Sequence, residues 1–362
     1  MSFNFSTAKL TVNDVAELNN ANTLYIVDFR ATGESLSHEI DSMFIYENLS
    51  QWLLRTSPIS SNGYYAVNSA QLQRGDLGST ALVAPPAAQP SASVIARLPH
   101  HPAAVHSLWA GIPHPAIDTY AHANNLTVNY TYPNFLHYNN KLAQKHALGS
   151  LSPDYFAITA QADLDRALSM QHGGFIKSAI GAGGFSVYNI ATSAATIRSN
   201  AQRIIHGEHA WYYEAHASGT PHSVQIYKQG SHYTLFGYAK QHIEGTQYTG
   251  ARLLPIDALP VSVATAAEAT CKQMDEFLSG YNGFFGIDIM VDGSAVTVLE
   301  LNVRLTATTI PTLLANAMGA HTAVDYLEEI STTTLKSDDI LLAQSPTKRE
   351  SCVLRVYREQ AV

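Results

Sequence analysis

The sequence predicts a mixed α/β (α+β) chain of two or three subdomains, on three observations. At 362 residues and 46% apolar content it can bury a large core, more than one subdomain's worth. Near the N-terminus a short apolar strand ending in polar residues, Leu24-Tyr25-Ile26-Val27-Asp28-Phe29, precedes a stretch over 39–55 with apolar residues at helical spacing. Near the other end two apolar strands spanning 283–304 meet at an Asp292-Gly293-Ser294 turn.

The elements follow in order. Ala84-Pro85-Pro86-Ala87-Ala88-Gln89-Pro90 is too proline-rich for anything but a loop. Leu126-Thr127-Val128-Asn129-Tyr130 is a strand that Pro133 ends, so residues 1–130 make one α/β domain of ordinary size. A helix opens at Asn140-Lys141, where a lysine runs against the helix macrodipole. Gly173-Gly174-Phe175-Ile176-Lys177 reads as a buried strand ending in a lysine, followed by a loop of Gly181, Ala182, Gly183 and Gly184. Such glycines let backbone N–H groups approach phosphate oxygens, and Lys177 supplies a point charge. The loop lacks the Gly-Lys-Ser/Thr of a Walker P-loop, and an ordinary hairpin turn is its alternative reading. Trp211-Tyr212-Tyr213 is an apolar strand turning polar at Glu214, Ala215 and His216. Residues 223–227 and 233–237 pair as an antiparallel hairpin around Lys228-Gln229-Gly230. Arg252 precedes a helix that runs to about Leu278.

The last hairpin carries the chemistry. Side chains alternate faces along a strand, so Glu300, Asn302 and Arg304 share one face, each roughly 6.5–7 Å from the next. Leu299, Leu301 and Val303 take the other face. With Asp292, Gly293 and Ser294 as the whole loop, Val291 pairs with Ala295 and Asp288 joins the Glu300 face. Two carboxylates and an amide oxygen are hard ligands suited to Mg²⁺ held against a phosphate. An arginine beside them suits an anion that gains charge during reaction.

Composition narrows the function. A net charge of −8 argues against nucleic acid as a partner. Cys271 and Cys352 make no metal pattern and point to a reducing compartment. No apolar run is long enough to cross a bilayer, and the first residues lack a basic-then-apolar leader, so a cytoplasmic chain is expected. His100, His101, His106 and His114, like the pair His206 and His209, show no zinc spacing.

Asp288 followed after eleven residues by Glu300-x-Asn302-x-Arg304 resembles the metal-binding hairpin of the ATP-grasp superfamily, and the upstream segments resemble it in the same order. The resemblance covers residues 135–325 and implies an ATP-grasp fold behind an N-terminal α/β pre-grasp domain. Residues 131–212 would form its central subdomain and 213–362 its C-terminal one. Lys141 stands where the superfamily carries the lysine of an Asp-Lys pair, with Asn140 in place of the aspartate. Lys177, 36 residues on, begins the phosphate-covering loop. Glu214, Ala215 and His216 would be the hinge against adenine. Arg252 would hold the acceptor carboxylate, or else form a structural salt bridge. The run 300–311 and the Val224-Gln225 pair resemble the pheganomycin-type peptide ligases, although Leu305-Thr306-Ala307 stands where those ligases usually carry glycines.

The resemblance implies ATP and Mg²⁺ (Mn²⁺ as alternative) as cofactors, and amino acid or peptide substrates. Asp288, Glu300 and Asn302 would be the metal ligands; Lys141, Lys177 and the glycine loop would hold phosphates. A substrate carboxylate would attack the γ-phosphorus, giving an acyl phosphate and ADP, and an amine would then displace phosphate, with Arg304 stabilising the charge. No nucleophile elbow suggests a covalent enzyme intermediate. A small-molecule kinase, a carboxylase-type subunit and a catalytically silent nucleotide binder are the alternatives. The N-terminal unit, with Asp28, Arg30, Glu34, His38 and Glu39, is read as a packing and homodimerisation unit, with substrate binding its alternative.

Overall fold

In a computed structural model of the protein, the structure describes residues 3–11, 14–15, 23–26, 64–66, 81–82, 106–110, 113, 115–171, 173–181, 186–319, 323–331, 339–344 and 350–356. The expected helix over 39–55, the loop at 84–90, the charged residues at 28–39, and Ala182, Gly183 and Gly184 lie outside the described residues.

Among the described residues the strands form three sheets, numbered here along the chain. The N-terminal sheet is wholly parallel, in the order β4 (Ala81–Leu82), β3 (Tyr64–Ala66), β2 (Thr23–Ile26), β5 (Ser107–Ala110), β6 (Thr127–Val128). Helix α1 (Pro115–Ala123) leads from β5 to β6. A parallel pair needs such a crossover, and the strand expected at 126–130 closes this one.

Two short helices connect this unit to the rest. Thr131 caps α2 (Tyr132–Tyr138), and Pro133 supplies the preset φ of a first helical turn. Asn140 caps α3 (Lys141–Leu148), its side chain accepting from the Ala143 amide, and Gly149 at φ 54° ends it.

The second sheet is antiparallel: β7 (Tyr155–Ile158), β10 (Trp211–Glu214), β8 (Phe175–Ser178), β9 (Val187–Asn189). The expected subdomain boundary at 212/213 therefore falls inside β10. One face of this sheet is apolar: Ile158, Ile176, Trp211 and Tyr213 pack with Leu164 of α4 (Gln161–Leu168), Ile190 and Ile197 of α5 (Ile190–Ser199) and Ile204 of α6 (Ala201–His206). The opposite face carries Lys177, Tyr212 and Glu214.

The largest sheet runs β15 (Ala295–Asn302), β14 (Gly283–Asp292), β11 (Thr220–Gln229), β12 (His232–Glu244), β13 (Gln247–Leu254), β16 (Val324–Ser331), β18 (Glu350–Val356), β17 (Asp339–Gln344). These neighbours are antiparallel. The first strand of the chain, β1 (Asn4–Thr7), joins this sheet too, parallel to β12 over His232 to Leu235, rather than the N-terminal sheet. Val263, Ala267 and Cys271 of α7 (Val261–Gln273), Ile310 and Leu313 of α8 (Thr309–Ala317), and Phe285, Ile287 and Leu301 of the sheet all belong to one buried core. The β11–β12 loop is Gly230-Ser231, starting two residues later than expected, because Lys228 pairs with Tyr233 and Gln229 with His232. Among the described residues no helix is long and apolar enough to cross a membrane.

Candidate active site

The β14–β15 hairpin brings Asp288 opposite Glu300, as expected, but by a different route. The loop is only Gly293-Ser294: Asp292 pairs with Ala295 and Val291 with Val296. Gly293, at φ 59°, supplies the positive dihedral that a two-residue hairpin loop needs. Straight pairing from that turn would set Asp288 against Leu299 and aim it with Leu301 and Val303 into the core. A bulge between Asp288 and Ile289 absorbs Leu299 and restores the Asp288–Glu300 and Gly286–Asn302 pairs. Leu301 and Val303 are buried as expected; Leu299 is corrected, since the bulge re-aims it to line the cleft beside Met290.

Four cations converge on this hairpin. Lys141, at the first position of α3, places Nζ 2.9 Å from Glu300 Oε2. Its backbone N–H donates to Ala179 O, tying the helix start to the end of β8. Asn140 replaces the acidic residue as a neutral cap, leaving Lys141 its whole interaction with Glu300. Lys177 Nζ lies 2.5 Å from Glu214 Oε1, and Lys145 Nζ lies 2.5 Å from Glu214 Oε2. Arg304 sits past the end of β15 and folds back, Nη2 donating to Asn302 Oδ1 at 3.1 Å and Nη1 to Leu305 O at 3.1 Å. Asn302 in turn donates to Asp288 Oδ2 at 2.9 Å, and Gln241 of β12 donates to Asp288 Oδ1 at 2.9 Å.

These contacts set the protonation. Burial and the neighbouring Glu300 carboxylate push Asp288 up to about 7. Burial also opposes the Glu300 charge, but Lys141 and Lys177 outweigh it and hold that carboxyl down to about 2. Glu214 is held below its ordinary value the same way: burial works against it, and Lys177 and Lys145 overcome burial.

The cleft between the two antiparallel sheets has a volume of about 1190 Å³. Phe175, Lys177, Val187, Glu214 and His216 line one wall, and Asp288, Met290, Leu299 and Glu300 the facing wall. The β12–β13 hairpin and Asp325, Leu327 and Arg355 line the cleft as well. His216 stacks on Phe175, with centroids 6.1 Å apart. At the expected hinge, the Glu214 carboxylate meets Lys145 and Lys177, and the Ala215 amide donates to Asp154 O at 2.8 Å. Arg252 takes the salt-bridge alternative, as a fork on Asp325 with Nε at 2.8 Å and Nη2 at 3.3 Å.

Sequence reasoning missed Asn139, Gln144 and Gln241, and weighed Lys145 only as the alternative to Lys141 for the phosphate lysine. Lys145 had one legible signal, its spacing of four residues from Lys141, which puts both on one helix face. The side-chain amides had none.

Two half-buried carboxylates paired across the hairpin, one of them with a strongly raised pKa, with an amide in the next row, fit a hard divalent cation. Among the described residues no group of three or more His, Cys, Asp or Glu makes a metal cluster; here the third donor would be an amide.

Residues 138–308 match the ATP-grasp domain family. Curated protein sequences give no significant match. Among solved structures, carboxyaminoimidazole ribonucleotide synthase from Aspergillus clavatus, complexed with ATP, superposes with a TM-score of 0.61 at 11% identity, covering 93% of this chain and 94% of that one. N5-carboxyaminoimidazole synthetase from Staphylococcus aureus, complexed with ADP, gives 0.57 at 10% identity, covering 99% and 96%. Phosphoribosylamine–glycine ligase from Thermotoga maritima gives 0.54 at 12% identity, covering 91% and 89%. At these identities the superpositions speak to fold, and with the matched domain they lead to one statement: this chain has the ATP-grasp fold, carrying an ATP-grasp domain over residues 138–308.

Proposed function

We propose that the protein is an ATP-dependent carboxylate–amine ligase that forms an amide bond through an acyl phosphate, releasing ADP and phosphate. The observation that carries this reading is the meeting of Lys141 and Lys177 with Asp288 and Glu300 across one cleft. Cations alone would suit any anion; cations facing a paired-carboxylate metal site suit a metal-bound polyphosphate. The solved relatives add support, being named as synthases and a ligase and, in two cases, complexed with ATP or ADP.

Asp288 and Glu300 would hold Mg²⁺ or Mn²⁺, joined by the Asn302 amide oxygen once that amide turns from Arg304 to the ion. When bound, the ion draws negative charge from phosphate oxygens. The chain's own residues do the rest. Lys141 and Lys177 neutralise and orient the phosphates. His216 and Phe175 on one wall, with Met290 and Leu299 on the other, offer the apolar slot a nucleobase needs. Arg304, anchored by Asn302 and Leu305, places a guanidinium beyond the metal ligands, where charge develops first on the phosphoryl group and then on the tetrahedral oxyanion. At about 1190 Å³ the cleft exceeds the roughly 300–1,000 Å³ of a single-ligand site, which leaves room for a second substrate beside a nucleotide.

Amino acids or short peptides are the substrate class proposed, on the resemblance of the 300–311 run to the pheganomycin-type ligases. The test is ADP release with Mg-ATP against single and paired amino acids, with mass spectrometry of each positive reaction. ADP that needs both a carboxylate and an amine, with a product one water lighter than their sum, is the expected result. A product heavier by a phosphate would make the protein a kinase instead. ATP binding with no ADP under any pairing would make it a silent nucleotide binder.

A further inference from the structure

Lys145 is fully buried, and among the described residues no cation lies deeper. An ammonium removed from water is very unfavourable unless a carboxylate meets it. Its partner is Glu214, 2.5 Å away. Lys145 follows Lys141 by four residues on α3, so the two reach out from one helix face. Their partners lie in different sheets: Lys141 meets Glu300 of the large sheet, and Lys145 meets Glu214 of the small one. Helix α3 thereby fastens both walls of the cleft at its floor.

Glu214 answers two lysines with one carboxylate, Oε1 to Lys177 and Oε2 to Lys145. Lys177 and Glu214 line the cleft. Lys145, with no exposed surface, is out of reach of anything bound there, so any effect it has on a ligand passes through Glu214. Pinning Oε2 fixes the carboxylate, and the fixed Oε1 holds the Lys177 ammonium at the cleft wall. When Lys177 turns to a phosphate, Glu214 still keeps a cation, and no bare carboxylate is left facing the anion.

We propose that Lys145 is a positioning residue for phosphate binding: acting through Glu214, it sets the Lys177 ammonium where a nucleotide's phosphates lie, without touching the nucleotide. This rests on the nucleotide reading of the cleft given above. The closing experiment is calorimetric titration of the wild-type protein, K145M and K145M/E214Q with Mg-ATP and, separately, with adenosine. The double variant removes the Lys145 and Glu214 charges together and leaves Lys177 to the Glu300 and Asp288 carboxylates, so it carries the comparison if K145M does not fold.

The expected result is a loss of Mg-ATP affinity of about tenfold or more in K145M with adenosine affinity unchanged, because only the phosphates meet Lys177. K145M/E214Q should fall no further than K145M, since both changes act on one linkage. Wild-type Mg-ATP affinity in the variants would overturn the proposal. So would an equal loss for ATP and adenosine, the sign of a merely structural ion pair. Wild-type protein that binds no ATP would overturn the nucleotide reading itself, and this inference with it.

Discussion

Gln144 pairs with the main chain of Leu301 as a neighbouring strand would: its Nε2 donates to the Leu301 carbonyl at 2.7 Å, and its Oε1 accepts from the Leu301 amide at 2.9 Å. Two residues along, Asn139 does the same to Val303, at 3.1 and 2.9 Å. Strand β15 is the edge of its sheet, so these two amides satisfy backbone groups that a next strand would otherwise take. They bracket Asn302 and leave α3 little freedom to slide. Gln144→Ala should lower stability by about 2–3 kcal/mol, through three backbone groups left without this partner, the Leu301 N–H and C=O and the Tyr138 C=O. Denaturant unfolding checks it, and a loss under 0.5 kcal/mol would mean water replaces the amide without difficulty.

Lys177→Ala and Glu300→Gln should each reduce ADP release at least about a hundredfold, because one removes a phosphate cation and the other a metal ligand. Steady-state turnover with saturating Mg-ATP is the measurement. Full activity in either would sink the site assignment. Chelation by EDTA should abolish turnover, and excess Mg²⁺ should restore it.

Arg304→Ala should cost on the order of 3–4 kcal/mol of transition-state stabilisation, a few hundredfold in turnover, with a smaller change in KM for ATP. A change confined to KM would recast Arg304 as a ground-state binding group.

The Asp288 pKa of about 7 gives a pH dependence with a definite sign. A proton and a divalent cation compete for the same carboxylate. Metal affinity should therefore fall about tenfold per pH unit below 7 and level off above it. In the metal-free protein the linkage runs the other way for stability: the folded state binds the extra proton, so this group's contribution declines as pH rises from about 4 to 7. Mn²⁺ titration followed by water proton relaxation at pH 6, 7 and 8 checks the first statement. A flat profile would place the proton elsewhere.

Arg252→Ala should leave KM for every substrate unchanged and cost about 1–2 kcal/mol of stability, because its fork holds the buried Asp325 while nearly half of its own side chain stays in water. A raised KM for the acceptor would restore the carboxylate-binding role.

Strand-level features were the legible part of this chain, because periodicity and hydrophobic burial are local. Glu300 and Asn302 on β15, Lys177 on β8 and Glu214 at the end of β10 all lie where the alternation of side chains puts them. The route from Asp288 to Glu300 was not legible: a bulge at Leu299 compensates for a turn one residue shorter, and pattern reading sees only their cancelled sum. Asn139 and Gln144 were invisible for another reason. A polar residue on a helix reads as solvated until the backbone it bonds, more than 150 residues away, is placed beside it. Arg252 shows the converse, where sequence offered two partners and only the register of β13 against β16 chooses Asp325.

The pairing of Asn4–Thr7 with His232 to Leu235 makes the large sheet depend on both ends of its own synthesis. Translation emits β1 ahead of the other strands of this sheet and leaves it without β12 until more than 200 further residues have left the ribosome. During that interval the parallel N-terminal sheet can assemble from nearby segments, whereas β12 still lacks one neighbour. Folding of the large sheet is thus timed by translation: β1 acts as a late-closing seam, and any tag or fusion placed ahead of Asn4 sits on the seam itself.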